Sequence, residues 1–281
     1  MTSTWRADLH THTTCSDGTL TPAEVIQLAK ASGLQALSIT DHDTTAAFPE
    51  AFTIAKECEI AIISGVELSC VHEGETIHIL GYAFDPDSKS LLESLQKQRQ
   101  HRLERNRRII EKLKKEGIVL EENEIQDPSK PADTYGRVHI ADVLVKKGYV
   151  ADILEAFKRY IGNNKPCYVE SSKWAVEEGI ETIHQAGGLA VLAHPHLIAS
   201  SSICKKVLEM PFDGIEAYYS RMPTSSNDRW IKVAQSKGCF VTGGSDFHGD
   251  VKPDIRLGCS FTPQEVFLRL HEHFLRSYNV Q

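Results

Sequence analysis

Short apolar runs alternate with longer stretches of helical spacing along most of the chain. The runs predict strands because they are short, aliphatic and bounded by turn residues, whereas the stretches between them repeat their apolar positions every three or four residues. The predicted strands cover residues 7–11, 37–40, 61–64, 77–84, 189–193, 214–217 and 239–242. This alternation of strands and helices predicts an α/β fold.

Capping signals locate the first helix. Thr21 and Glu24 have the spacing of a capping box, and Pro22 occupies the first helical position. Gly33 suits the residue just beyond the last turn. Further helices are predicted at residues 52–56, 176–185 and 230–236, and a last helix begins near residue 263.

The alternation of strands and helices breaks between residues 91 and 165. A long, highly charged helix is predicted from about residue 90 to residue 116, shorter helical stretches follow at 140–146 and 153–160, and no strong strand pattern is present. We therefore expect two domains, of which the first is discontinuous. Residues 1–90 and 166–281 form the α/β domain, and residues 91–165 form a helical insertion.

Composition and charge narrow the classes of function. The chain of 281 residues carries a formal net charge of −7, so no overall basic field attracts nucleic acid, and we expect no stable nucleic-acid complex. An anionic substrate must then be held by local cations or by metal. The seven cysteines are scattered without a CxxC pair, which argues against a disulfide framework. With neither a signal peptide nor a membrane-spanning run, we expect a cytoplasmic protein; its oligomeric state stays open.

Histidines and carboxylates recur at the ends of the predicted strands. His10 and His12 lie two apart, so both face the same side of the first strand, and Asp17 follows in the next loop. Any one such residue has a simpler explanation, as a helix cap or a solvated histidine. Their recurrence at successive strands, however, favours one shared site at the carboxyl ends of the strands. The other residues of this pattern are His42, Glu67, His78, His194, Asp246 and His248.

These residue types indicate a hydrolytic metal centre. Imidazole and carboxylate ligands without thiolate suit manganese, zinc or iron in an open site and leave the identity of the metal undecided. Two or three divalent ions close together activate water and neutralise a phosphoryl group, which is how an acidic protein can bind a phosphate ester.

The motifs resemble those of the PHP (polymerase and histidinol phosphatase) superfamily over nearly the whole chain. They are DLHTH at 8–12, TDHD at 40–43, Glu67, His78, AHP at 193–195 and SDFH at 245–248. The stretches SDGTLTP at 16–22, HDTT at 42–45 and GLAVLAHP at 188–195 resemble the branch that contains 3′,5′-nucleoside bisphosphate phosphatases and ribonuclease AM. The resemblance implies a distorted (β/α)7 TIM-like barrel with an inserted helical sub-domain.

The resemblance also implies three metal ions and the role of each ligand. The first ion takes His10, His12, Glu67 and Asp246, the second takes Asp17, His42 and His248, and the third takes Glu67, His78 and His194. Hydrolysis would proceed by direct attack of an activated water, without a phosphoenzyme. The catalytic residues are then Glu67, which holds the attacking water, and His194 or His248, which protonates the leaving oxygen.

Arginines of the insertion are the candidate substrate-binding residues, because in this branch the insertion folds over the metals. Arg99, Arg102 and Arg105 lie three apart and can share one helix face, although a solvated basic stripe explains this spacing equally well. Arg137 and His139 lie in a GRVH segment at 136–139 that resembles the branch's Gly-Arg-Pro-His. A guanidinium can bind phosphate through two parallel hydrogen bonds.

One departure concerns the substrate. After the AHP motif the branch continues Gly-Arg-Tyr or similar, whereas this chain reads HLI at 196–198. A phosphate-binding arginine is then absent, and His196 replaces it only weakly. This leaves binding of a second phosphate open, but not hydrolysis itself.

The function expected is hydrolysis of a phosphate monoester or diester of a small nucleotide. The best candidates are the 3′-phosphate of nucleoside 3′,5′-bisphosphates and the 5′ ends of short oligonucleotides. Three alternatives stay open: a phosphatase of the histidinol-phosphate type, a catalytically silent metal- or nucleotide-binding module, and an amidohydrolase. The last would need a metal-bridging lysine at a strand end, and the sequence has none there.

Overall fold

The computed structural model describes residues 5–125, 135–170 and 174–278, and it has the predicted α/β fold. The chain divides into two compact units, residues 1–95 with 174–281, and residues 96–173. No described helix is long and apolar enough to cross a membrane.

All strands of the described residues belong to the first unit and form two sheets. The three-stranded sheet is parallel, in the order β1 (Ala7–Asp8), β2 (Ala36–Ser38) and β3 (Ala61–Ile63). The five-stranded sheet consists of β4 (Gly65–His72), β5 (Glu75–Tyr82), β6 (Leu189–Leu192), β7 (Gly214–Tyr219) and β8 (Phe240–Gly244). In it β4, β5 and β6 are antiparallel, whereas β6, β7 and β8 are parallel.

The predicted closed barrel is not confirmed, because the described strands form these two sheets and no closed ladder. Single bridges join Thr11 to Phe247 and His42 to Glu67 beyond the regular strands. The ladders are short at these places because β1 and β2 give way to loops whose backbone groups bond to side chains. The N–H of Thr13, for example, donates to Asp41 Oδ1 at 2.7 Å.

The segment after β3 departs from the expectation that Glu67 ends the third strand. Residues 65–72 form a strand of their own, β4, which pairs with β5 in a hairpin, so Glu67 lies inside a strand. The two-residue turn is Glu73-Gly74, both with positive φ (48° and 80°), the conformation that right-handed strand twist favours. The alternation of apolar and polar residues favours a strand here, since Val66, Leu68 and Cys70 face the core while Glu67 and Ser69 face the other side.

The helices of the first unit pack against the two sheets. The predicted capping box of α1 (Pro22–Ala31) is confirmed, with Thr21 and Glu24 each accepting the other's backbone N–H. Five further helices of this unit are α2 (Phe48–Glu57), α7 (Val176–Gln185), α8 (Ser201–Leu208), α9 (Thr224–Lys237) and α10 (Gln264–Ser277). The sequence did not predict α8. Leu68, Ile79 and Ile183 are among the buried residues between α7 and the five-stranded sheet. Each such side chain contributes about 1.5–3 kcal/mol by burial.

The second unit is helical in its described residues. It contains most of α3 (Lys89–Lys115), followed by α4 (Glu122–Ile125), α5 (Arg137–Lys146), α6 (Ile153–Ala156) and a π-helical turn at Phe157–Ile161. Its core is separate and includes Ile109, Leu113, Ile140 and Leu144, all fully buried.

Candidate metal centre

Backbone contacts bring the residues after β1 next to the end of β8. The N–H of His12 donates to the carbonyl of Phe247 (2.9 Å), and the N–H of Asp246 donates to the carbonyl of His10 (2.8 Å). A Cβ on Gly244 would lie 2.4 Å from the backbone nitrogen of His10, so only glycine permits this approach. Asp246 itself adopts a positive φ of 56°. The result is that His10, His12 and Asp246 converge.

A buried carboxylate that the sequence did not single out holds the loop that carries Asp17. Asp41 accepts the N–H and the hydroxyl of Thr13 (2.7 and 2.6 Å) and the hydroxyl of Ser16 (2.5 Å). Gly18 makes the turn possible, because a Cβ there would lie 2.5 Å from the carbonyl oxygen of His12. Asp17 is thereby turned back toward the histidines.

Glu67 lies at the centre of the histidines, and each of its oxygens faces a different subset. Oε2 lies 3.3 Å from His10 Nε2, 3.1 Å from His12 Nε2 and 3.3 Å from His42 Nδ1. Oε1 lies 2.7 Å from His78 Nδ1 and 2.9 Å from His194 Nε2. One carboxylate thus faces five imidazoles, as expected of a ligand that bridges metal ions.

Asp17 and Asp246 complete the group on its other side. Asp17 Oδ1 lies 3.3 Å from His248 Nε2 and 3.5 Å from His12 Nδ1. Asp246 Oδ1 lies 3.4 Å from His12 Nε2, 3.4 Å from His248 Nδ1 and 3.5 Å from His10 Nε2. All predicted metal ligands therefore come together in the structure.

Four overlapping groups have ligand atoms close enough to share an ion, all within 4.8 Å of one another. They are His12, Asp17, His42 and His248; His10, His12 and Asp246; His10, Glu67 and His194; and His42, Glu67 and His78. These groups overlap the predicted ligand sets of the three ions without reproducing them one by one.

The chemistry of the donors fits divalent cations. Carboxylate oxygens lie 2.7–3.5 Å from five buried ring nitrogens but not in hydrogen-bonding geometry, so these nitrogens make no hydrogen bond to any described residue. They are Nε2 of His10, both ring nitrogens of His12, and Nδ1 of His42 and of His78. Such groups are costly unless something satisfies them. Ligand atoms about 2.1 Å from one ion in tetrahedral geometry are separated by about 3.4 Å, close to most of the nitrogen–oxygen distances in this cluster.

The protonation of the cluster also reflects its need for positive charge. Burial lowers the pKa of His10 and His12, but nearby carboxylates outweigh it: Glu216, Glu67 and Asp246 raise the pKa of His10 well above its usual value, and Asp246 and Glu67 raise that of His12 to about 9. Burial lowers the pKa of His42 well below its ordinary range. The metal-free cluster thus attracts protons that divalent cations would displace.

Three further residues support the ligands, and sequence reasoning missed them. Glu216 Oε1 lies 2.9 Å from His10 Nδ1, and its Oε2 accepts the N–H of His194 at 2.8 Å. Tyr219 and Lys252 both donate to Asp246 Oδ2, at 2.8 and 2.6 Å. Glu216 lies on the strand predicted at 214–217, and Tyr219 lies just beyond it. No motif there indicated a polar function.

The second unit brings three of the predicted arginines together. Arg105 is buried and donates Nε to the carbonyl of Val169 at 2.9 Å, so for this residue a solvated stripe is excluded. Burial, followed by the charges of Arg137 and Arg102, lowers the pKa of Arg105 to about 9. Arg102 also approaches Gly136, where a Cβ would lie 3.3 Å from its Nη1.

The other two predicted substrate residues lie on α3 and α5. Arg99 is half-buried one turn before Arg102. His139 accepts the N–H of Gly136 at 3.1 Å through Nδ1 and meets the ring of Tyr135 edge-on. Arg137 lies over the rings of Phe157 and Tyr168, with Cζ 5.3 and 5.8 Å from their centroids.

His196, the first of the three residues that differ from the Gly-Arg-Tyr of the branch, is an aromatic packing residue here. Its ring stacks on Tyr219 at 5.9 Å and meets Trp230 edge-on at 5.5 Å. Burial lowers its pKa to about 4, so it is neutral near pH 7 and supplies no cation for a phosphate.

Comparison with known proteins finds similarity over most of the chain. A family model described as the PHP domain matches residues 8–172. A 5′–3′ exoribonuclease from Haemophilus influenzae is 38% identical over 255 residues, covering 87% of this chain and 90% of that protein. A 3′,5′-nucleoside bisphosphate phosphatase from Chromobacterium violaceum is 34% identical over 247 residues, covering 86% of both. A solved structure assigned as a metal-dependent phosphoesterase, from Bifidobacterium adolescentis, has a TM-score of 0.86 at 28% identity and covers 96% of both chains.

Proposed function

From the premise that this chain belongs to the PHP-domain family of metal-dependent phosphoesterases, we propose that its substrate is a phosphate ester of a small nucleotide. The observation that carries this proposal is the convergence of five imidazoles on Glu67, with Asp17 and Asp246 beside them. The relatives named as a bisphosphate phosphatase and an exoribonuclease supply the nucleotide class.

The cluster would hold three divalent ions of manganese, zinc or iron. The proposed ligands are His10, His12, Glu67 and Asp246 for the first ion; Asp17, His42 and His248 for the second; and Glu67, His78 and His194 for the third. Bound ions would supply a water of lowered pKa and a positive field for the phosphoryl oxygens.

Residues of the chain would orient the attack and protonate the leaving group. Glu67 has both oxygens directed into the cluster and would fix the line of attack. His194 would bind its ion through Nε2, so the proton that it gives to the leaving oxygen would come from Nδ1; its side chain is 12% exposed, whereas that of His248 is 3% exposed. The Nδ1 of His248 faces the carbonyl of Asp246 at 2.9 Å, which directs its Nε2 to Asp17.

The arginines of the second unit would bind the remainder of the substrate. Arg102, Arg105 and Arg137 form a group of positive charge, and we assign them, with Arg99 and His139, to a phosphate or to the nucleotide backbone. Because His196 is neutral, the chain has no obvious cation after the AHP motif for a second phosphate.

The same proposal covers the architecture. We assign residues 1–90 and 166–281 to a catalytic domain and residues 91–165 to a substrate-binding insertion, an assignment supported by the division of the chain at 95 and 174. We also propose that the two sheets are parts of one distorted (β/α)7 barrel. The bridges of Thr11 with Phe247 and of His42 with Glu67 support this interpretation.

A metal-reconstituted substrate panel tests the function. Protein stripped with a chelator is loaded with manganese, zinc or iron(II) and assayed on adenosine 3′,5′-bisphosphate, on 5′-phosphorylated trinucleotides of RNA and DNA, on histidinol phosphate and on an N-acyl amino acid. We expect turnover of the nucleotides only, and only with metal. Preference for histidinol phosphate or the amide would assign another class of reaction, and a metal-loaded protein inert on the whole panel would make it a binding module.

A further inference from the structure

Glu216 is a fully buried carboxylate whose two oxygens each face one residue of the metal centre. It lies in β7, and its side chain is 0% exposed. Oε1 lies 2.9 Å from His10 Nδ1, and Oε2 accepts the backbone N–H of His194 at 2.8 Å. A buried charge is costly unless it is bonded in this way, so packing alone does not account for glutamate at this position.

The bond to His10 determines which nitrogen of that ring is available. A carboxylate oxygen accepts hydrogen bonds, so the contact with Oε1 is a hydrogen bond when Nδ1 of His10 carries the hydrogen that points at Glu216. In the neutral ring with its hydrogen on Nδ1, the lone pair of Nε2 lies on the opposite side, where Glu67 Oε2 lies at 3.3 Å and Asp246 Oδ1 at 3.5 Å. Carboxylate–histidine pairs of this kind orient metal ligands in many sites.

The hydrogen bond from the N–H of His194 to Glu216 holds the backbone of His194 in an unfavourable conformation. His194 follows β6 with φ of 25° and ψ of 59°, a left-handed conformation that residues other than glycine rarely adopt. Its N–H is anchored by Glu216, and its Nε2 lies 2.9 Å from Glu67 Oε1. One carboxylate on β7 therefore positions histidines from two other parts of the chain.

We propose that Glu216 is a positioning residue that directs the Nε2 atoms of His10 and His194 toward divalent cations. This inference rests on the proposed metal-dependent function. Glu216 is not itself a ligand in this account, and it belongs to none of the groups that could share an ion.

The substitution Glu216→Gln tests the proposal, because an amide offers one acceptor and one donor. If its oxygen keeps the N–H of His194, its NH2 group faces His10 Nδ1 and favours the tautomer with the hydrogen on Nε2, the atom that should bind metal. We expect metal affinity to fall about 10- to 100-fold, the usual effect of losing an outer-shell partner. Competition with a chromogenic zinc chelator measures the affinity, and ¹⁵N NMR of the zinc-loaded protein reports the ligated nitrogen of His10.

Asp213→Asn is a matched control. Asp213 Oδ2 lies 2.8 Å from His184 Nε2 and accepts the N–H of Ala190 at 2.8 Å, so it has the same kinds of partner, but outside the metal centre and directly before β7. We expect Asp213→Asn to leave zinc affinity unchanged.

The outcomes separate this inference from the proposed function. Wild-type zinc affinity and an unchanged His10 signal in Glu216→Gln would overturn the role of Glu216, whereas a wild-type protein that binds no cation would overturn the metal site itself. If Glu216→Gln does not fold, as judged by circular dichroism, Glu216→Asp takes its place. The shorter side chain withdraws both oxygens, so about tenfold weaker zinc binding is expected, and undiminished binding would refute the proposal.

Discussion

The histidine–carboxylate cluster of the first unit and the arginine group of the second unit are both polar and partly buried, but their needs for charge are opposite. Carboxylates raise the pKa of His10 well above its usual value, so the cluster attracts positive charge. Burial and neighbouring arginines lower the pKa of Arg105 to about 9, so the arginine group disfavours its own charge. The first region would be completed by the proposed cations, and the second would be completed by an anion, the role that we propose for it.

The largest effect on catalysis is expected when the cluster loses one of its proposed ligands. His12→Ala and Asp246→Ala should each lower kcat/KM about 10³-fold, because each removes a proposed metal ligand from the cluster. His12 Nε2 lies 3.1 Å from Glu67 and 3.4 Å from Asp246. Turnover of adenosine 3′,5′-bisphosphate with manganese measures the effect, and circular dichroism checks the fold. His184→Ala, which removes a histidine paired with Asp213 outside the cluster, should stay active. Near-normal rates in His12→Ala would refute the site.

A second effect concerns pH and the metal-free cluster. The pKa of His12 is raised to about 9, so its contribution to the stability of the metal-free protein is fully present below the unfolded value of about 6.5 and is lost as pH rises through about 9. Metal must displace this proton and that of His10, whose pKa is also raised, so apparent metal affinity should increase by at least about tenfold per pH unit from pH 7 toward pH 9. His42 does not compete for protons in this range, because burial holds its pKa low.

Chelator competition at several pH values measures this dependence. An affinity that is flat between pH 7 and 9 would show that the cluster does not hold the proton that its carboxylates favour. His184→Ala is again the control, and its affinity should follow the wild-type pH dependence.

How far the sequence could predict these two regions differs for a physical reason. The convergence of the proposed ligands was predictable because the carboxyl ends of strands collect side chains at one place, and His10, His12 and His42 follow strands in a regular way. Glu67 was placed correctly in the cluster for the wrong local reason, since it lies inside β4. The alternation of Val66, Leu68 and Cys70 and the Glu73-Gly74 turn could have identified the hairpin.

The residues that support the ligands were not predictable. Glu216 contacts His10 across 206 positions of sequence, and Lys252 reaches back to Asp246 from a loop. The first contact depends on the arrangement of the strands and the second on the conformation of the loop after Asp246, and local patterns determine neither. For the arginines, spacing placed Arg102 and Arg105 on one helix, but only the structure distinguishes the buried Arg105 from the exposed Arg107.

A smaller effect is expected when Lys252, which holds Asp246, is replaced. Lys252→Met removes the cation bonded to Asp246 Oδ2 at 2.6 Å and leaves that oxygen to Tyr219 alone. Asp246 would rotate more freely, and we expect kcat/KM to fall about tenfold. Lys206→Met removes an exposed lysine paired with Glu73 and should have no effect on kcat/KM. Equal rates for the two variants would mean that Tyr219 suffices to hold Asp246.

The smallest effect concerns the arginine group. Arg137→Lys keeps the positive charge but loses the planar guanidinium that lies over Phe157 and Tyr168 and that can bind phosphate through two bonds. Because the metals would be untouched, we expect KM for adenosine 3′,5′-bisphosphate to rise about fivefold with little change in kcat. Arg107→Lys is the matched control, since Arg107 is exposed and paired with Glu122. A fall in kcat at constant KM would instead connect Arg137 with the reacting phosphoryl group, and unchanged constants would remove it from the substrate site.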